Sequence, residues 1–170
     1  MNRLEAGVVP VPLRDSGGEG PPLLLLGDGA GLGWENVQGP LATRCRLLTP
    51  ATPAGLAGLL AAIALPRLAV LGCGAEGGAL ALRLAEALPD RVQRAVLMAP
   101  LPSDVPAEPT CPVLVVYGAA GPSGRAAERI AATLAGGRLA PVPAPDPMHA
   151  SDPQAFLRSV VPFLCGGTDA

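Results

Sequence analysis

Leu68-Ala69-Val70-Leu71-Gly72-Cys73-Gly74-Ala75-Glu76-Gly77-Gly78-Ala79-Leu80-Ala81-Leu82-Arg83-Leu84-Ala85 is the stretch on which the fold turns. Its first five residues are a short apolar run closed by a glycine, the pattern of a strand buried on both faces. From Ala79 to Leu88 the leucines at 80, 84 and 88 fall along one side, which predicts a helix opened by Gly77-Gly78. Pro89-Asp90-Arg91 stops that helix, and Ala95–Ala99 follows as a second apolar strand. Strand, glycine-rich turn, helix and strand make the repeating unit of a parallel sheet.

The same alternation extends in both directions. Upstream, Val8–Leu13 reads as an edge strand closed by the turn cluster Arg14 to Gly20, and Leu23–Leu26 as a buried strand ending in Gly27. A helix is expected from near Trp34 to Gly39-Pro40, a strand over Arg46–Thr49, and a helix over Ala54–Leu65 stopped by Pro66. Downstream, a proline-rich stretch (100–112) leads to a strand over Val113–Tyr117 and a helix over Pro122–Ala135. A strand over Leu139–Val142 and a helix over Pro153–Leu164 complete the series. The expectation is an α/β fold with a mostly parallel sheet and helices on both faces. It should form a single domain over residues 1–170, with an ordered core over about 8–164 and a tail from 165 to 170.

Composition narrows the functional classes. Hydrophobic residues make up 49% and charged residues 15% of 170, so the balance that keeps chains disordered is absent despite 22 Gly and 21 Pro. Twelve cations, all Arg and scattered, face 14 anions, and there are one Trp, one Tyr and two Phe. That leaves neither a basic stripe nor stacking platforms, and no nucleic-acid partner is expected. Apolar runs such as Leu23–Leu26 fall far short of the roughly 20 residues of a membrane span. The start of the chain, with Arg3 and Glu5 before prolines and glycines, is unlike a secretory leader, so a cytoplasmic protein is expected. Cys45, Cys73, Cys111 and Cys165 lie 28, 38 and 54 residues apart, without metal-site spacing, which predicts buried, reduced thiols and no metal. No cofactor is expected.

The stretch from Leu71 to Ala85, followed by Leu88-Pro89-Asp90-Arg91-Val92 and Ala95 to Pro100, resembles the nucleophile-elbow region of the α/β-hydrolase superfamily. Asp15 to Trp34 is similar to the strand and oxyanion loop of that family, Cys111 to Gly121 to the strand leading to its catalytic acid, and Asp146 to Leu164 to its histidine loop and terminal helix. The likeness covers residues 8 to 164. It implies an α/β-hydrolase-like fold without a cap domain, because about eleven residues, Leu101 to Cys111, stand where a cap is often inserted.

Carried over residue by residue, the resemblance assigns Ala75 to the nucleophile position, Gly121 to the acid position and His149 to the general base. Two of the three triad positions are therefore substituted, and neither Ala75 nor Gly121 can do triad chemistry. The oxyanion loop carries Gly27-Asp28-Gly29 where the family tends to show His-Gly, and Asp28 places a negative charge where an oxyanion would develop.

The remaining candidates each have a bland counterpart. Cys73 is either a thiol nucleophile activated by the helix start or His149, or a small side chain packed where small residues are required. Asp104 is either a substitute acid for His149 or a solvated loop residue. Glu76 is either a wall of a pocket or a carboxylate complementing a helix dipole. Asp146 reads as a turn residue between prolines. The leading expectation is a non-hydrolytic small-molecule-binding or protein-interaction module, with Gly27, Asp28, Gly29 and Glu76 at its ligand site. The alternative is an ester or thioester hydrolase using Cys73, or a lyase-like enzyme in which His149 and Asp104 move protons.

Overall fold

The computed structural model describes residues 8–27, 34–99 and 107–166. In chain order these form β1 (Leu13–Asp15), β2 (Pro22–Leu26), α1 (Glu35–Ala42), β3 (Arg46–Pro50), α2 (Leu56–Ala62), β4 (Leu68–Cys73) and α3 (Gly74–Ala87). They continue with β5 (Val92–Met98), β6 (Val113–Gly118), α4 (Gly124–Thr133), β7 (Gly137–Val142), α5 (Met148–Ser151) and α6 (Pro153–Cys165). One sheet takes the order β1-β3-β2-β4-β5-β6-β7, and only β1 runs antiparallel to its neighbour.

Successive residues of a strand point to opposite faces, so a strand covered on both sides must be apolar at every position. Leu24 and Leu26 of β2 pack with Val70, Leu97 and Val115 beneath Leu59, Leu84 and Ala127 of α2, α3 and α4. Leu23 and Leu25 pack on the other face with Leu71, Val96 and Val116 beneath Val37, Leu41, Phe156 and Val160 of α1 and α6. The sheet thus separates two apolar layers, as the runs at Leu23–Leu26, Leu68–Leu71, Ala95–Ala99 and Val113–Tyr117 predict. Fourteen residues, 99 to 112, connect β5 to β6. That is too short a connection to carry a separate cap domain.

After β2 the chain crosses to β3 on one side and then returns to place β4 on the other. At such a reversal the loops leaving the carboxyl ends of two adjacent strands diverge and open a crevice. Gly27 after β2 and Gly74 after β4 stand at that crevice.

Three expectations need correction. The edge strand is Leu13–Asp15 rather than Val8–Leu13. Pro10 and Pro12 have no N–H to give a ladder, whereas Arg14 and Asp15, expected in the turn, pair with Thr49 and Leu48. Helix α3 begins at Gly74, five residues before Ala79. The glycine pair that seemed to open it lies inside it, where Gly77 backs onto β2. Finally, His149, expected in a loop, lies in the short helix α5.

Asp15 accepts hydrogen bonds from Arg46 Nε at 3.0 Å and from the Gly17 N–H at 2.9 Å, and forms an ion pair with the Arg46 guanidinium. The Arg46 contact, followed by the Gly17 N–H, holds the Asp15 carboxyl down at about 2. A folded-state pKa below the unfolded value of roughly 3.9 means the contact supports the fold above about pH 4 and is lost as pH falls through about 2. The pair is solvent-exposed, so the effect should be local. Amide exchange at Arg14 and Asp15 is expected to quicken, relative to β2, across that acid window.

Candidate functional site

The turn from β4 into α3 is built by small residues. A side chain at Gly72 would meet Gly77 O at 2.2 Å, and one at Gly77 would meet Leu26 O at 2.5 Å, so β2, β4 and α3 approach backbone to backbone. Gly74 adopts φ +69°, the left-handed region that L side chains avoid. The tip of the turn is therefore Gly74, not Ala75, which lies in the first turn of α3. Gly74 stands two residues after Gly72 and three before Gly77, and it carries no nucleophilic atom.

Cys73 is the last residue of β4, half-buried against the layer formed with α1 and α6. His149 borders that same layer from α5. Its ring lies 5.4 Å from Trp34, tilted at 41°, and 6.2 Å from Phe156 in an edge arrangement. His149 is only 3% exposed. The structure brings Cys73 and His149 to one apolar layer at the carboxyl end of the sheet, with Trp34 against the imidazole. Asp28, Gly29 and Asp104 lie outside the described residues.

The space beside Gly121 is taken by a carboxylate from another loop. Asp146 Oδ1 accepts the Gly118 N–H at 2.9 Å, and Oδ2 accepts the Ser123 N–H at 3.0 Å. A Cβ on Gly121 would stand 2.2 Å from Asp146 Oδ2. Asp146 thus fills the space a Gly121 side chain would occupy and ties the β6–α4 turn to the loop before α5. It is more than the turn residue the sequence suggests. Gly121→Asp should accordingly destabilise the protein by about 2–3 kcal/mol, from overpacking and like charge. Adding Asp146→Ala should recover part of that loss, and denaturant midpoints of the two single mutants and the double mutant check it. Strictly additive losses would count against the contact.

Beside the turn a cavity of about 640 Å³ opens over the carboxyl ends of β2 and β3. Leu25, Leu26, Leu47, Leu56, Leu80 and Trp34 supply apolar wall, and Glu35, Glu76, Arg14 and Arg83 supply charge. Gly27 and Glu76, two of the expected ligand residues, line it. Glu76, Ala79, Leu80 and Arg83 recur at helical spacing, so one face of α3 forms a wall. Sequence reading offers no site role for Trp34, Phe156 or Arg83 and gives Asp146 only a place in a turn. The spacing of Glu76, Ala79, Leu80 and Arg83 was the one signal that offered Arg83.

Among the described residues no cysteine is in a disulfide; Cys45 and Cys111 are buried, Cys73 half-buried and Cys165 exposed. The exposure of Cys165 departs from the expectation of uniformly buried thiols, since it ends a surface helix. Among the described residues no group of three His, Cys, Asp or Glu side chains is placed to hold a metal ion. Among them, too, no helix is long and apolar enough to cross a membrane.

No family model and no curated protein sequence matches the chain. Solved structures do. A marine microorganism esterase superposes with a TM-score of 0.76 at 13% identity, over 92% of this chain and 100% of the other. A hydrolase from Pseudomonas aeruginosa gives 0.73 at 21%, over 91% and 94%. The enol-lactonase from Burkholderia xenovorans gives 0.72 at 17%, over 91% and 96%. With the strand order and the glycine turn after β4, these similarities define an α/β-hydrolase-like fold.

Proposed function

We propose that this chain is an α/β-hydrolase-fold protein that binds a small molecule beside the β4–α3 turn without hydrolysing it. The observation that carries this reading is Gly74 in the left-handed conformation at that turn. In hydrolases of this fold the nucleophile occupies the strained strand-to-helix turn, where its reactive atom is presented to substrate. Gly74 has no such atom, and Ala75 beside it has none either. With Gly74 at the tip of the turn, the nucleophile position itself offers His149 no proton to take. The adjoining cavity has the size of a small-molecule site and combines an apolar wall with the charged side chains Arg14, Asp15, Glu35, Glu76 and Arg83.

The test is a thermal-shift screen with acyl esters and lactones, in wild type and in Ala79→Trp, which fills the cavity from the α3 wall. A ligand at 100 times its Kd is expected to raise Tm by roughly 5–10 °C in wild type and much less in the variant. An undiminished shift in Ala79→Trp would place binding elsewhere. The second reading, a thiol enzyme using Cys73, is favoured by one observation, the common layer that Cys73 and His149 border. Its signature is turnover lost on thiol blocking.

A further inference from the structure

We propose that Cys45 and Cys165 are an oxidisable pair that closes into an intramolecular disulfide, clamping the carboxyl end of α1 to that of α6. The two sulfurs lie 3.8 Å apart although 120 residues separate them in the chain. Cys45 is buried three residues after α1, its N–H bonded to Leu41 O at 2.8 Å, so its position is fixed by the helix end. Cys165 is exposed and is the last residue of α6. Closing to a bond length of about 2.05 Å requires movement mainly at the end of α6. That last turn contains Pro162, which offers no N–H to the helix ladder and leaves it easier to displace.

A hydroperoxide supplies the oxidant. The Cys165 sulfur attacks the distal peroxide oxygen, the O–O bond breaks, and the alcohol or water leaves with a proton, giving a sulfenic acid. The Cys45 sulfur then displaces that hydroxyl, which departs as water with the Cys45 proton as the S–S bond forms. Two thiols and one hydroperoxide thus yield one disulfide, one alcohol or water, and one water. Burial, and then the neighbouring Cys165, push the Cys45 thiol up to about 12, which keeps it protonated and leaves the exposed sulfur to react first.

The clamp joins two helices with a common task. Trp34 precedes α1 and Phe156 belongs to α6, and the two rings pack against His149. A bond between the far ends of these helices restrains both walls around that histidine.

The test treats the reduced full chain with one equivalent of hydrogen peroxide, alkylates remaining thiols and maps peptides without reduction. The expected result is a Cys45–Cys165 linked peptide, two fewer alkylated thiols and a Tm raised on the order of 5–15 °C, reversed by dithiothreitol. Cys165→Ser, a change at an exposed site, should abolish the linked peptide and the Tm rise, whereas Cys111→Ser should abolish neither. Sulfinic acid at Cys165 without the linked peptide, or crosslinks only between molecules, would overturn the proposal.

Discussion

Gly72→Ala and Gly77→Ala should each cost about 3 kcal/mol or more, whereas Gly78→Ala, one residue on, should stabilise the protein by about 0.5–1 kcal/mol. The contrast follows from what each new methyl meets. At Gly72 it would lie 2.2 Å from the carbonyl oxygen of Gly77, and at Gly77 it would lie 2.5 Å from that of Leu26. Both obstacles are backbone, so a strand or helix must move. At Gly78 the nearest atom is a methyl of Leu97 at 4.0 Å, ordinary contact for an apolar group. There the gain in helix propensity and the lower unfolded-state entropy should dominate. Urea denaturation of the three variants measures the difference, and similar losses at Gly77 and Gly78 would show that α3 does not dock as described.

Phe156→Ala is expected to lose about 3–5 kcal/mol, the range for deleting a fully buried aromatic ring. Phe156 is completely buried in the layer beneath α1 and α6, and its ring meets the edge of His149. Collapse into that volume is opposed by the anchoring of α6, whose start is held by Pro153 and by the Asp152 carboxylate accepting the Ala155 N–H at 2.9 Å. Because Trp34 is the chain's one tryptophan and its ring lies 5.4 Å from the same imidazole, its fluorescence should change in the same variant. A loss below about 1 kcal/mol with unchanged fluorescence would contradict the packing of the histidine.

Much of the architecture is legible in the chain because burial on both faces leaves an unbroken local mark. Leu23–Leu26 can be four consecutive leucines only where layers lie on either side. The register of the β4–α3 turn is harder to read, because a glycine permits both a left-handed turn and close packing. Gly77-Gly78 suggests a helix start, yet Gly77 is required by the carbonyl of Leu26 from another strand, and Gly74 is the one that turns. The Asp146 carboxylate at Gly121 is likewise a contact between loops 25 residues apart, with no periodicity to announce it. Cys45 and Cys165 carry the same lesson, since spacing arguments see only neighbours in sequence. Helix α5 has four residues, too few to show a helical repeat.

The proposal that the turn at Gly74 is silent predicts no acyl-transfer chemistry, and hydrolysis of a panel of acyl esters and thioesters tests it most directly. Purified wild type should be compared with His149→Ala, Cys73→Ala and thiol-blocked protein at equal concentration. All four are expected to show the uncatalysed rate, because on that proposal no oriented nucleophile stands where substrate would be attacked. Turnover by wild type that disappears in Cys73→Ala or His149→Ala would contradict it and establish a working thiol site.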